Sequence, residues 1–366
     1  MNTDLAEQQI IGETRVLAAA ASRKPAERVG ALARALLPRV RELAEHYRAQ
    51  ACSQSPALAV WLKDRNEPPM AELSAAPVVL YGGATEYDVL GRWREQLAQA
   101  TNAASGIARG DASAERDWLY WHDRDEGRAA GQEFFRAEQI RDCLREVVKL
   151  SHLLTLPRKM VRVAPGRMLF ADDFSALKPE WKSYGGAQLS VSGGRLHVKG
   201  MGVTVWCMKE FTNARVVFDY CPEIATGKSA GALFAFPGSP TKRAGKDFAV
   251  SAGAMPNYNA GINTYHVSLY RGHSGMTNLR RTGTGLKMLS TVRPDACANL
   301  GEHYRVELLK YDESVQVFVN GVLIHAYVDT GCYGPVLQRG CFGLRHFSGE
   351  GEFETSYGRF EIAGMK

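Results

Sequence analysis

One stretch in the second half of the chain alternates between polar and apolar side chains. Within Thr264–Tyr270, alternation puts His266, Ser268 and Tyr270 on one face of a predicted strand and the apolar residues on the other. Hydroxyl and imidazole groups suit a hydroxyl-bearing ligand, and His266 and Tyr270 could also transfer protons. We therefore predict His266 and Tyr270 as catalytic residues and Ser268 as a binding residue. The alternative is a solvent-facing strand with ordinary polar side chains.

Arginines close to this strand predict an anionic ligand. Arg271, Arg280 and Arg281 flank a glycine-rich loop at residues 273–275, and Asn278 lies just before the last two arginines. A guanidinium matches a carboxylate with two parallel hydrogen bonds, so this group fits an acidic sugar. We predict all four as substrate-binding residues, with a solvated surface turn as the alternative.

Two further binding candidates lie inside predicted strands. Arg345 lies in the mostly apolar run Cys341–Phe347, where a charge must reach solvent, a protein partner or a ligand. Trp206 lies in Thr204–Met208, and an indole face is a good platform for a sugar ring. The alternatives are a structural ion pair for Arg345 and a core position for Trp206. We expect Arg345 and at least one loop arginine to converge with His266.

The first half of the chain has a helical period. Apolar residues recur at three- and four-residue spacing over residues 25–51, and further helices are predicted over Glu86–Thr101 and Ala130–Leu156. Between the last two lies a segment rich in aromatic and acidic residues. It could be a lid or a sugar subsite, but we favour a helix edge that buries Trp118 and Trp121 between two domains.

The second half has the pattern of short strands. After Arg167, β-rich runs recur with Gly, Asn or Asp between them, and Asn320-Gly321 predicts a type I′ hairpin. Many strands without intervening helices indicate a sandwich. We predict an α+β chain, with a helical domain of unknown role at residues 1–165 and an antiparallel β-sandwich at residues 166–366.

Four stretches of the second half carry a family resemblance. Ile262–Arg271, Thr277–Arg281, Val315–Asp329 and Cys332–Arg345 resemble the YesU-like family of concanavalin-A-like (lectin/glucanase) jelly-roll proteins. The resemblance covers about residues 167–366. That family has no defined activity, and its members resemble proteins of rhamnogalacturonan and related pectin-degradation systems. The resemblance implies a jelly roll with its ligand across the concave sheet, where we expect His266, and it implies no catalytic residues.

Acidic and metal-binding signals are weak. Glu350, Glu352 and Glu354 share a face, as the catalytic carboxylates of retaining glucanases of the implied fold do. A solvated acidic turn is the better interpretation, because a loop is expected there. The histidines lack metal-ligand spacing and no calcium loop is recognisable, so we expect no metal and no other cofactor.

Composition bounds the location and the partners. The chain has 366 residues, a formal net charge of +6 and seven cysteines without a CxxC pair. Free thiols in a reducing compartment are therefore expected, and neither a secretory leader nor a run of 18 apolar residues is recognisable. We expect a cytoplasmic protein with an oligosaccharide ligand, no nucleic-acid partner and no membrane partner. The oligomeric state stays open.

These observations favour a carbohydrate-processing protein that acts on a uronic-acid-containing oligosaccharide, as a lyase or a hydrolase. In a lyase, an arginine would neutralise the substrate carboxylate, and His266 or Tyr270 would take the proton at C5. The first alternative is a non-catalytic module that binds a carbohydrate or a partner. The second is a helical half that oligomerises, with the sandwich as a scaffold.

Overall fold

A computed structural model describes most of the chain. The described residues are 3–63, 76–119, 125–226, 230–245, 247–271, 274–283, 285–347 and 349–366. Trp121 and the first residue of the glycine-rich loop, His273, lie outside them.

The N-terminal part is helical. Its helices are α1 (Thr3–Ala21), α2 (Ala26–Gln54), α3 (Pro56–Leu62), α4 (Glu86–Ala108), α5 (Ala112–Asp117), α6 (Asp125–Ala130) and α7 (Gln132–Thr155). The three predicted helices are confirmed in α2, α4 and α7, whereas α1 was not predicted. Helix α7 is buried along nearly its whole length and packs against both α2 and α4.

Two antiparallel sheets form the second half. The seven-stranded sheet has the order β12-β11-β10-β9-β16-β7-β4. Its strands are β4 (Trp181–Tyr184), β7 (Thr204–Phe211), β9 (Ala232–Pro240), β10 (Ile262–Leu269), β11 (Thr277–Thr282), β12 (Lys287–Val292) and β16 (Gly340–His346). The longest described helix after residue 166 is α8 (Met255–Gly261), of seven residues.

The eight-stranded sheet has the order β15-β14-β13-β8-β17-β6-β5, and β3 also pairs with β17. Its strands are β3 (Pro165–Asp172), β5 (Gln188–Ser192), β6 (Arg195–Lys199), β8 (Ala214–Ala225), β13 (Tyr304–Tyr311), β14 (Ser314–Val319), β15 (Val322–Val328) and β17 (Phe353–Met365). Asn320 and Gly321 both have positive φ, as the predicted type I′ turn requires. The predicted fold class, helices followed by an antiparallel jelly-roll sandwich, is confirmed.

The helical part packs on one edge of the sandwich. The Gln99 side chain donates to the carbonyl of Thr291 (3.1 Å) and accepts from its N–H (3.0 Å), which ties α4 to the edge strand β12. Trp118 is buried with its ring edge-on to Tyr333 at 5.1 Å and beneath the ammonium of Lys287. The prediction that Trp118 is buried between the two halves of the chain is therefore confirmed.

A second contact lies on the outer face of the eight-stranded sheet. Strands β1 (Val78–Leu80) and β2 (Met160–Arg162) form a small parallel sheet. Just after β1, the Tyr81 ring packs on Phe318 and its hydroxyl donates to Glu307 at 2.6 Å. The helical part thus also contacts the outer face of the eight-stranded sheet.

The outer face of the seven-stranded sheet is crossed by the stretch between β9 and β10. We call residues 247–261, which comprise a 3-10 turn (Phe248–Ser251) and helix α8, the cover segment. Phe248 and Tyr258 of this segment pack with sheet residues in a separate apolar cluster. The sheet residues of that cluster are Trp206, Leu233, Ala235, Ile262, Cys341 and Phe347.

All seven cysteines are free, and six of them are buried. Within the described ranges, no helix has the length and apolar character that a membrane crossing needs.

Candidate functional site

Alternation along β10 determines which of its side chains face the candidate site. Tyr265 and Val267 point into the core between the sheets, whereas His266 and Ser268 point to the outer face, as predicted. The strand register puts Arg280 of β11 beside His266 and Asn278 beside Ser268. We call His266, Ser268, Asn278 and Arg280 the outer-face site.

Several atoms of this site are buried without a hydrogen-bond partner among the described residues. They are His266 Nε2, Ser268 Oγ, Asn278 Nδ2 and Arg280 Nε. Buried polar atoms are nearly always hydrogen-bonded in native proteins, and each unpaired one costs about 1–3 kcal/mol. Four such atoms on one face of two neighbouring strands indicate a place where a polar ligand or ordered water binds.

The surroundings of His266 are positively charged. Burial lowers the pKa of His266 well below its ordinary value, and the charges of Arg280, Arg345 and Arg271 lower it further. His266 is therefore neutral at physiological pH. Its Nδ1 lies 3.4 Å from the hydroxyl of Tyr258 in α8, so one ring nitrogen faces a protein partner while Nε2 has none among the residues described.

Arg280 is anchored from the helical part. Its Nη2 lies 3.3 Å from Oδ1 of Asp117, the last residue of α5. Burial lowers the pKa of Arg280 to about 10, because the single partial ion pair does not offset the lost hydration. Arg271, two residues after the end of β10, lies with its guanidinium 5.3 Å from the Phe347 ring centre, and burial lowers its pKa too.

Arg345 reaches the same face from β16. Its guanidinium donates to the carbonyls of Ser251 and Gly253 and lies over the Tyr258 ring at 5.0 Å. These acceptors all belong to the cover segment. Arg345 therefore holds this segment on the sheet, and its burial is accounted for without a ligand; its role in substrate binding stays a prediction.

Tyr270 does not share the face of His266 and Ser268. Its φ of 51° ends the alternation, and its ring stacks on Phe353 of the opposite sheet at 5.8 Å. The residue lies at the core between the sheets, so the expectation of a His–Ser–Tyr row is wrong at this residue. The tyrosine next to His266 is Tyr258 instead.

Arg281 lies on the opposite face of β11 from Arg280. It pairs with Asp329 at 2.5 Å and donates to the carbonyl of Pro335, and the Tyr265 hydroxyl donates to the same carboxylate. The charge of Asp329 raises the pKa of Arg281 despite burial. Contrary to expectation, this arginine belongs to an internal ion pair and does not face the site.

Trp206 is not an open sugar platform. One face of the ring lies against Phe248 of the cover segment at 4.6 Å, and Nε1 donates to Ser251 Oγ at 2.9 Å. The backbone of the neighbouring strands also approaches so closely that a Cβ on Gly238 would lie 2.4 Å from the ring. The alternative reading, an indole buried by packing, is the correct one.

A possible metal-ligand group lies elsewhere. His197, Glu223 and Glu354 are on β6, β8 and β17 of the eight-stranded sheet, with ligand atoms within 4.8 Å of one another. The three side chains are partly exposed, and His197 Nδ1 lies 3.4 Å from Glu223. The group is on the other sheet from His266 and takes no part in the outer-face site.

Sequence reasoning missed Tyr258 and the pairing of Asp117. Tyr258 lies in a helix of only seven residues, which is too short for an apolar period to be recognised. Asp117 was noticed as part of the aromatic segment, but its contact with Arg280 spans 163 positions of the chain. A contact at that separation leaves no local pattern.

A comparison with known proteins identifies a family for the sandwich. The model described as "Domain of unknown function (DUF1961)" matches residues 168–362. No curated protein matches the chain. Because the matched residues are more than half of the chain, this protein belongs to that family. The finer resemblance to the YesU-like family stays a prediction.

Several solved structures align with about half of this chain. A protein of unknown function with a galectin-like fold from Bacillus subtilis is 24% identical, with a TM-score of 0.46, and the alignment covers 56% of this chain and 98% of that one. The carbohydrate-binding module CBM66 from B. subtilis is 10% identical with a TM-score of 0.36, covering 50% and 96%. A Bacillus licheniformis β-glucanase is 11% identical with a TM-score of 0.37, covering 54% and 98%.

Proposed function

We propose that the outer-face site of this DUF1961 protein binds an oligosaccharide that carries carboxylate groups. The observation that supports this most is the set of four buried, unpartnered polar atoms at His266, Ser268, Asn278 and Arg280. Sugar hydroxyls both donate and accept hydrogen bonds, so one sugar ring could satisfy donors and acceptors together.

The local charge supports an acidic sugar over a neutral one. Arg271 and Arg280 are both buried enough for their pKa values to fall, and Asp117 pairs with Arg280 at 3.3 Å. The neighbouring Asp295 accepts from the backbone N–H groups of Tyr270 and Arg271. A ligand carboxylate would add a charge-assisted hydrogen bond and offset the desolvation of the arginines.

The same geometry suits β-elimination at a uronate. Neutral His266 would accept the C5 proton at Nε2 while Nδ1–H donates to the Tyr258 hydroxyl, and the arginines would stabilise the enolate that develops on the carboxylate. The electron pair from C5 then forms the C4=C5 double bond as the C4–O4 bond breaks. The O4 oxygen then takes this proton from the His266 imidazolium, so the elimination neither consumes nor releases a net proton.

Hydrolysis fits less well. A glycosidase needs two carboxyl groups, one as acid and one as base or nucleophile. In the described structure the carboxylates close to the arginines are Asp117 and Asp295, and both are already bound by protein donors.

A non-catalytic binding module is the second candidate. The observation that favours it is the lowered pKa of His266, because a weak base removes a proton from carbon slowly. The two candidates share the ligand and differ in what His266 does to it.

One experiment separates the candidates. Oligogalacturonates of one to six residues and neutral galacto-oligosaccharides are titrated by calorimetry against the protein, and the ultraviolet absorbance of unsaturated products is followed. We expect acidic oligomers to bind more tightly than neutral ones, and Arg280→Lys to lose about tenfold in affinity for the acidic series, the low end of a charge-assisted hydrogen bond. Arg305→Lys, on the eight-stranded sheet, is the matched control, because it makes the same replacement away from the site.

The His266→Gln variant decides between lyase and binder. In a lyase it abolishes product formation while binding survives, whereas a binder forms no product with either protein. Equal affinity of the wild type for acidic and neutral oligomers, or no binding of either, would overturn the proposed function.

A further inference from the structure

A cleft with polar and apolar lining residues lies between the helical part and the edge of the seven-stranded sheet. Its volume is about 710 Å³, within the range of roughly 300–1,000 Å³ that is usual for ligand sites. The main lining residues belong to three elements or directly follow them. They are Gln99 and Asn102 of α4 with Arg109 just after it, Asp117 of α5, and Met288 and Thr291 of β12 with Arg293 just after it.

The cleft is adjacent to the outer-face site. Asp117 lines the cleft and pairs with Arg280. Met288 lies beside Arg280 in the pairing of β11 with β12. Thr291, another lining residue, donates its hydroxyl to Asn278 Oδ1 at 3.0 Å. Two of the four residues of the outer-face site therefore touch the cleft wall.

The cleft walls are held in place by specific contacts. Gln99 binds both backbone groups of Thr291 and so fixes α4 on β12. Gly106 lets α5 approach α4, since a Cβ there would lie 2.8 Å from the Cβ of Ala114. Asp111 caps the start of α5 by accepting from the N–H groups of Ser113 and Ala114. The cavity is thus built before any ligand enters.

The cleft is lined by two arginines, Arg109 and Arg293, and two aspartates, Asp111 and Asp117. The carboxylate of Asp111 is bound by N–H groups at the start of α5, and that of Asp117 by Arg280. By contrast, Arg109 donates to the hydroxyl of Ser105 at 2.6 Å and Arg293 to the carbonyl of Ser274, which are neutral acceptors. Hydrogen bonds from Ser113 lower the pKa of Asp111 and the charge of Arg109 helps to lower it, whereas Arg293 has no carboxylate partner among the described residues. A ligand carboxylate can approach both guanidiniums, because neither is held in a direct ion pair.

We propose that this cleft binds the sugars that follow the one held at the outer-face site, with Arg109 and Arg293 recognising their carboxylates. The inference rests on the proposed function, and it gives the helical part a role as one wall of the binding site. It also makes the ligand an acidic oligomer that spans both halves of the chain, rather than a single uronate.

The test is the dependence of affinity on oligomer length. Oligogalacturonates of one to six residues are titrated against the wild type, Arg109→Gln and Arg293→Gln. For the wild type we expect affinity to rise with length beyond the dimer. Each variant should lose about tenfold for the long oligomers and little for the monomer and dimer, in keeping with the loss of one charge-assisted hydrogen bond.

Hydrogen exchange gives a second readout that does not depend on any substitution. Long oligomers should protect the amides of residues 99–118, and the dimer should not. For the titrations, Arg94→Gln is the control variant, because Arg94 lies in α4 and outside the lining of the cleft.

Each other outcome has a clear meaning. If affinity rises equally with length in the wild type and in both variants, and residues 99–118 stay unprotected, the cleft proposal is wrong while the proposed function stands. Failure of the wild type to bind any acidic oligomer overturns the proposed function and this inference together.

Discussion

Arg280 and Arg281 are neighbours in the chain but lie on opposite faces of β11. Arg280 faces His266 on the outer side, and Arg281 pairs with Asp329 on the inner side. Their residue type predicts anion binding for both, and alternation predicts that only one can face a given ligand. The sequence could not show which face Asp329 would neutralise, because that contact joins residues 48 positions apart.

The prediction for Tyr270 was wrong because alternation along the strand ends before this residue. Alternation from His266 through Ser268 places it on the outer face, but its positive φ turns the chain before the side chain reaches that face. Positive φ is uncommon outside glycine, asparagine and aspartate, so nothing in the residue type predicts it. The ring then packs on Phe353 in the core.

For Arg345 the structure predicts a loss of stability that does not depend on the ligand. In Arg345→Lys a single ammonium cannot reach the carbonyls of both Ser251 and Gly253 and also cover the Tyr258 ring. Leaving one buried acceptor unpaired costs about 1–3 kcal/mol. We expect a lower urea midpoint and equal losses of affinity for acidic and neutral oligomers.

The matched variant for that experiment is Arg280→Lys, which removes a guanidinium from the same face without touching the cover segment. Unchanged stability of Arg345→Lys together with a selective loss for acidic oligomers would show instead that Arg345 binds the ligand.

At the scale of elements, α7 shows what a periodic pattern can and cannot predict. Its apolar residues predicted a helix over 130–156, and the helix spans Gln132–Thr155. The pattern also implies that the charged residues between them face solvent. They are buried instead: Glu138, Arg141, Asp142, Arg145, Glu146 and Lys149. The reason is that both the helical core and the sandwich pack on this helix, which no single-helix pattern reveals.

The cover segment was missed for a different reason. Phe248–Ser251 and α8 are each a turn or two long, so neither a strand nor a helix period can develop. Their positions depend on side chains of the sheet, above all Arg345 and Trp206. By comparison, the strands predicted at Thr204–Met208, Thr264–Tyr270 and Cys341–Phe347 lie close to the observed β7, β10 and β16.

Glu146 of α7 gives a prediction about pH. Burial raises its pKa to about 7, although Thr330 and Gln96 donate to the carboxylate. Between the ordinary pKa of about 4.5 and this value, the folded protein keeps a proton that the unfolded chain has lost, so stability falls as pH rises through that window. At 1.36 kcal/mol per pKa unit the loss is roughly 3 kcal/mol.

Glu146→Gln is neutral at every pH and should not show this loss. We expect the free energy of unfolding of Glu146→Gln, measured in urea, to rise steadily relative to that of the wild type from pH 5 to pH 7.5. Other titrating groups, such as the buried His325 and His346, are present in both proteins and cancel in the difference. Glu133→Gln, exposed in the first turn of α7, is the control. Parallel pH profiles for the wild type and Glu146→Gln would contradict the prediction.

At the scale of the whole molecule, the division into a helical and a β half was predictable. The spacing of apolar residues changes along the chain from a helical period of about 3.6 residues to a strand period of 2. The way the halves meet was not. Buried polar contacts cross the boundary, such as Lys149 to the carbonyl of Thr330 at 2.7 Å and Gln316 to the carbonyl of Val79 at 2.7 Å. Each joins residues more than 180 positions apart.

These contacts predict that the halves at residues 1–165 and 166–366 do not fold independently. Removing the first half would expose Phe318 and Leu309, which pack beneath Tyr81, and would leave the backbone of Thr330 and Thr291 without its partners. Exposed apolar patches and unpaired strand edges promote aggregation. We therefore expect the fragment 166–366 to be insoluble, or to unfold at a lower urea concentration than the full chain.

The full chain should then unfold in one step. Far-ultraviolet circular dichroism follows mainly the helices, whereas tyrosine and tryptophan fluorescence also follows Trp181 and Trp206 in the sheets, so coincident urea transitions mean that both parts unfold together. Because Asp117 of the cleft pairs with Arg280 of the outer-face site, a long acidic oligomer should shift both transitions by the same amount. Two separate transitions, with only the sheet signal shifted by ligand, would mean that the helical part is an independent domain and not a wall of the binding site.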